Sequence, residues 1–164
     1  MTKSICIDDL DWDTRADGPG NYEVDRKHLT PHTDRCNLGC SLYRIKPGHR
    51  AFPAHYHFGN DEAIFVLSGV LTVTLDGVSQ QLNAGSYMTF KAASEVAHQV
   101  SNTSEKMVEF LCMSTMNKTD IVVYPESGKI GVMGGYAPGG EETESFLREW
   151  MKLKPVDYWL DEEG

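Results

Sequence analysis

"EAIFVLSGVLTVTLDGVSQQLNAGSYMTF", residues 62–90, runs in short apolar–polar alternations broken at Gly69, at Asp76-Gly77 and at Asn83-Ala84-Gly85. A period of two marks strands that bury one face. Asp-Gly between "LTVTL" (71–75) and "VSQQL" predicts a hairpin, because both turn positions favour φ > 0. The same pattern recurs in "SLYRI" (41–45), "AHQVSN" (97–102), "MVEFLCMS" (107–114) and "DIVVY" (120–124). With the runs at 62–68, 71–75, 79–83 and 86–90, these give eight strands at intervals of about ten residues. That spacing predicts an all-β sandwich or barrel over residues 41–125. No long helical period interrupts it, which disfavours a βαβ layout.

The flanks read differently. Residues 1–40 are polar and broken by Gly18, Pro19, Gly20 and Pro31, so the expectation is an irregular arm with one short strand. His28 and His32 stand four apart there, but Pro31 between them opposes a continuous helix, and both read as solvent-exposed. Residues 126–164 form a C-terminal extension. In "ESFLREWMKLK" (144–154), Phe146, Leu147, Trp150 and Met151 fall at i, i+1, i+4 and i+5, which predicts a short helix over about 143–153.

Composition narrows the function. About 40 % hydrophobic residues and 24 % charged suit a globular domain of 164 residues. The net charge of −9 repels phosphate backbones and anionic lipid, so neither nucleic acid nor membrane is an expected partner. A small anionic ligand stays open, since a bound metal can reverse the local field. Cys6, Cys36, Cys40 and Cys112 match no disulfide framework or zinc finger and read as free thiols. The start "MTKSICIDDLDWD" lacks an apolar signal region. Both observations point to a cytoplasmic protein.

Chemistry concentrates in "HYHFGNDE", residues 55–62. On an extended strand His55 and His57 project to one side, with Tyr56 opposite. Imidazole suits Zn, Fe, Ni, Cu and Mn. Paired histidines on a strand are also ordinary surface, but Glu62 shares a face with Ile64 and Val66, where a carboxylate is costly unless paired or metal-bound. His98, heading "HQVSN", is the fourth candidate ligand if its strand returns beside the first.

These residues carry a resemblance. "GHRAFPAHYHFGNDEAIFVLSG" (48–69) resembles the first motif of the cupin superfamily: Gly48, His55, His57, Glu62 and, six residues on, Gly69. "GSYMTFKAASEVAHQVSN" (85–102) resembles the second motif. Lys91 stands at its proline, Ala93 at its glycine, and His98 arrives two residues late. The resemblance covers residues 41–115 and is nearest to small single-domain bacterial cupins of the sugar-phosphate-isomerase-like group. It implies a double-stranded β-helix, or jelly-roll barrel, and one divalent metal per chain (Fe, Mn, Zn or Ni) held by His55, His57, Glu62 and His98. Asp61 is the rival carboxylate, and alternation together with the gap to Gly69 favours Glu62.

Such a centre implies an enzyme of isomerase or oxygenase type acting on a small sugar-like or carboxylate-bearing molecule. The alternative is a metal-containing binding or sensor module without turnover. Tyr43, Tyr56, Tyr87, Lys91 and Glu109 are acid–base candidates, and none is assigned a catalytic role. Tyr56 lies on the wrong face, and Glu109 reads as the outward residue of an edge strand. Phe65 and Leu67 point out of the barrel, so the outer face expects a cover. The resemblance implies a homodimer.

Overall fold

The computed structural model describes residues 4–16, 18–32, 37–137 and 146–162, with the side chain of His32 outside that description. Thirteen strands are described. They are β1 (Asp13–Arg15), β2 (Val24–His28), β3 (Leu38–Ile45), β4 (Tyr56–His57), β5 (Glu62–Ser68), β6 (Val70–Leu75), β7 (Val78–Asn83), β8 (Tyr87–Phe90), β9 (His98–Ser101), β10 (Val108–Thr115), β11 (Thr119–Tyr124), β12 (Lys129–Gly134) and β13 (Leu147–Met151). One sheet runs β1-β2-β3-β10-β5-β8; the others run β13-β12-β11-β4 and β7-β6-β9. Neighbouring strands pair antiparallel, and the sheets form a jelly-roll barrel.

The turn chemistry holds. Asp76 and Gly77 take φ of 45° and 85°, the doubly positive pair that a two-residue hairpin needs. Gly69 has φ 77°, and a Cβ there would stand 2.6 Å from the Met107 carbonyl oxygen, so the β5–β6 corner admits only glycine.

Alternation grades the barrel from a dry end to a wet end. On β5, Val66 and Ile64 are buried in the core and Glu62 follows them toward the open end. On β9, Val100 is core and His98 sits two residues nearer the opening. Ile45, Val66, Leu71, Val73 and Val108 are completely buried and close the dry end. Burying each such side chain stabilises by about 1.5–3 kcal/mol relative to leaving it exposed. Asn102 seals that end by donating to the carbonyls of Ile45 and Lys106, at 2.8 and 2.7 Å.

Three expectations require correction. The arm contributes two strands, and β2 pairs along β3 with Asp25 opposite Arg44. Asp25 is the anchor: its carboxylate accepts from Thr14 Oγ1 at 2.6 Å and Arg44 Nε at 2.7 Å. Burial alone would raise its pKa, but these two donors outweigh burial and lower it. Glu109 does face outward, yet β10 lies between β3 and β5 and is a central strand.

The third correction concerns the C-terminal helix over 143–153. Residues 143–145 lie outside the described residues, and Leu147–Met151 is a strand paired with β12. An exposed apolar stripe satisfies a helix or a strand equally in isolation. Here β12 offers an unpaired edge, and Gly131 opposite Trp150 leaves room for the indole, whose Nε1 lies 3.0 Å from where a Cβ would sit. No such vacancy is visible in the local periodicity. Cys6, Cys40 and Cys112 are free thiols, and Cys36 lies outside the described residues.

Candidate metal centre

The wet end of the barrel brings together residues from three places in the chain. His55 and His98 form an isolated antiparallel bridge, exchanging backbone hydrogen bonds of 3.1 and 2.9 Å. Glu62 arrives at the start of β5, and His57 comes from β4, paired with β11. Ligand atoms of His55, Glu62 and His98 all lie within 4.8 Å of one another. His57 is outside that tightest group, though its Nε2 stands 3.7 Å from Glu62 Oε2. His98 Nε2 is 3.0 Å from the same oxygen.

The surrounding contacts orient the rings. His55 Nδ1 lies 2.8 Å from the Pro53 carbonyl, which only accepts, so Nδ1 carries the proton and Nε2 keeps its lone pair. His57 Nδ1 lies 2.6 Å from Asp120 Oδ2, and the carboxylate likewise fixes a proton on Nδ1. An acceptor behind each ring is the arrangement that prepares imidazoles for a cation. His98 is held differently. Its ring stacks on Phe90 at 4.0 Å between centroids, and its buried Nδ1 has no partner while Nε2 faces Glu62.

Electrostatics follow the geometry. Burial and the neighbouring His98 push the His55 pKa down to about 4, so the ring is neutral at pH 7. Burial would raise Glu62, but the His98 hydrogen bond and the three imidazoles outweigh it and bring the pKa down to about 2. Burial lowers His57, and the Asp120 hydrogen bond with the charges of Glu62 and Asp120 more than restores it, leaving the pKa raised. The result is an ionised carboxylate facing imidazole nitrogens, a donor set suited to a first-row divalent cation.

Asp120 escaped the sequence reading. Its side chain is fully buried and accepts from Gly59 N at 2.7 Å, Asn60 Nδ2 at 2.9 Å and the His57 ring. A signal existed: Asp120 alternates with Val122 at the head of an apolar strand, as Glu62 does with Ile64 and Val66. Gly59 is close-fitted to it, since a Cβ there would lie 2.3 Å from the Thr119 carbonyl. The rival Asp61 is exposed and instead accepts the Ala92 N–H at 2.7 Å, tying down the loop after β8. That loop carries the departure from the second motif. Ala93 has φ 55°, a left-handed conformation, and its N–H donates to the His57 carbonyl at 2.8 Å. Glycine suits that backbone better than alanine, by about 1 kcal/mol.

A cavity of about 360 Å³ opens over the cluster, with His55, His57 and Glu62 in its lining. Of the five acid–base candidates only Tyr43 borders it, stacked on Phe110 at 5.6 Å. Burial pushes the Tyr43 pKa up to about 12, so its phenol acts as a donor and not as a base. Tyr87 is exposed on the edge strand β8. His28, read from sequence as solvent-exposed, borders the cavity and is half-buried, as is Tyr124 of β11.

Residues 41–114, the greater part of the jelly-roll barrel, match the cupin domain family. Two solved structures share its architecture. A sugar phosphate isomerase of the cupin superfamily from Silicibacter pomeroyi is 20% identical with a TM-score of 0.76, over 94% of this chain and 97% of that one. The polyketide cyclase RemF from Streptomyces resistomycificus is 20% identical with a TM-score of 0.59, over 70% of this chain and 80% of that one. No curated protein matches the sequence. Among the described residues, no helix is long and apolar enough to cross a membrane.

Proposed function

We propose that this chain is a metal-dependent cupin enzyme acting on a small sugar-like or carboxylate-bearing molecule, with His55, His57, Glu62 and His98 as ligands to one divalent ion. One observation carries the reading: an ionised glutamate and oriented imidazoles converge beside an open cavity, with three ligand atoms within 4.8 Å of one another. The donor types suit Fe, Mn, Zn or Ni. A bound divalent cation supplies Lewis-acid polarisation of a carbonyl or lowers the pKa of bound water. The chain's own groups divide the remaining tasks. The Tyr43 phenol, kept protonated, donates to a substrate oxygen, and Asp120 holds the His57 ring at its angle. The names of the Silicibacter and Streptomyces proteins, an isomerase and a cyclase, support an enzyme acting on small oxygen-bearing substrates. Protein purified without chelator is expected to carry about one divalent metal per chain by elemental analysis. A result near zero overturns the reading.

A second reading, a cytoplasmic binding or sensor module without turnover, is favoured by the shortage of bases around the cavity. Among the described residues, apart from the cluster itself, its titratable lining is arginine, tyrosine and His28. Incubating metal-loaded protein with sugar phosphates, keto acids and catechols separates the two, because binding without product selects the module.

The same proposal includes a homodimer built on the outer face of the six-stranded sheet. Phe65, Leu67 and Tyr87 are exposed there, and Leu38 adds to them from β3. Light scattering at micromolar concentration is expected to give twice the chain mass of 18.3 kDa, and a monomeric mass removes this part of the proposal.

A further inference from the structure

A protein with a net charge of −9 lines the 360 Å³ cavity beside the His–Glu cluster with three arginines. Arg15 and Arg26 come from the paired strands β1 and β2, and Arg148 comes from β13 in another sheet. Among the described residues Glu62 is the only acid in the same lining, and it faces the imidazoles. Asp13 offsets part of the charge from outside, at 3.2 Å from Arg26 and 3.8 Å from Arg15, but it is largely exposed. Arg26 is mostly buried, and its Nε has no hydrogen-bond partner. Arg148 packs over the Trp150 ring at 5.0 Å, which holds its guanidinium at the rim.

In Arg26, a buried guanidinium N–H without a partner is costly. Guanidinium groups match phosphate and carboxylate oxygens through paired N–H donors. A local cluster of positive charge in a cleft also draws anions against the repulsion of the whole chain. We infer that Arg15, Arg26 and Arg148 form an anion-recognition wall that takes the phosphate or carboxylate group of a small substrate, with its hydroxyl or carbonyl oxygens directed to the His–Glu cluster. The cavity matches such a molecule: 360 Å³ equals roughly a dozen liquid-water volumes. This inference rests on the cavity being the substrate site of the proposed function.

One carbon skeleton with three head groups tests it. Glucose 6-phosphate, glucuronate and glucose are titrated calorimetrically into the full-length protein as purified, with metal content measured on the same samples. At least one anion is expected to bind more than about tenfold tighter than glucose, the equivalent of one charge-assisted hydrogen bond. The tighter of the two anions identifies phosphoryl or carboxylate as the group recognised. Arg148→Gln and Arg15→Gln, both on short edge strands, are expected to fold normally and to lose about tenfold in anion affinity each, with glucose binding unchanged. Arg148→Lys is expected to recover part of that loss. Equal affinity for all three compounds, or wild-type anion affinity in both Gln variants, overturns the proposal. Its failure is separable from failure of the metal reading. Metal-free protein that still binds the anion through the arginines keeps this inference and sinks the metal centre, and metal-loaded protein indifferent to anions does the reverse.

Discussion

Glu62→Gln is expected to abolish metal loading, lowering affinity for a divalent cation by more than about 100-fold. Second-sphere changes alone cost about 10–100-fold, and this one removes a ligand of the proposed centre. The substitution keeps size and shape, so the barrel should survive it. What it removes is the sole negative charge among the converging side chains. Neutral His55 cannot replace it, and His57 and His98 offer nitrogen only. The amide also presents a donor or a weaker acceptor to His98 Nε2, where the carboxylate oxygen now lies at 3.0 Å. Elemental analysis after dialysis reads the outcome directly. An occupancy of one ion per chain in this variant would place the metal elsewhere and dissolve the centre described above.

Asp120→Asn carries the second large effect, and it acts through His57. The carboxylate has three donors around it and no exposure. Asparagine supplies one acceptor oxygen in place of two, and its NH2 must face a donor. The cost is about 2–4 kcal/mol of stability, from a buried charged acceptor lost among donors. For a chain of this size that lowers the melting temperature by about 5–15 °C. Metal affinity should also fall about 10–100-fold, because His57 loses the partner that fixes its ring and its proton. Asp61→Asn is the matched control: that carboxylate is exposed and holds one loop N–H. If the two variants melt together and bind zinc alike, Asp120 has no role in positioning His57.

The fold was written mainly in local signals. The alternation over 62–90 and the Asp76-Gly77 turn locate β5 to β8 within a residue or so, because a half-buried strand must show period two wherever it lies. His55, His57 and Glu62 were legible for the same reason: the two histidines share one parity, and Glu62 shares another with Ile64 and Val66 a few residues on. The failures share a cause as well. The stretch 147–151 has a stripe that reads as helix, and only the open edge of β12 and the space over Gly131 make it a strand. His28 looked peripheral until β2 was laid along β3. Asp120 lies 63 residues from the imidazole it holds.

From its sequence alone, then, this chain declares an all-β barrel with two histidines on one strand face and a glutamate on the core-facing side of the next strand, since parity and turn conformation are properties of neighbouring residues. Tertiary structure alone decided that His98 lies beside His55, that Asp120 backs His57, and that Arg148 of β13 shares a cavity with Arg15 and Arg26 of the β1–β2 pair. Those are closures between distant strands, set by which edges remain open and which glycines leave room, and no window along the chain contains them.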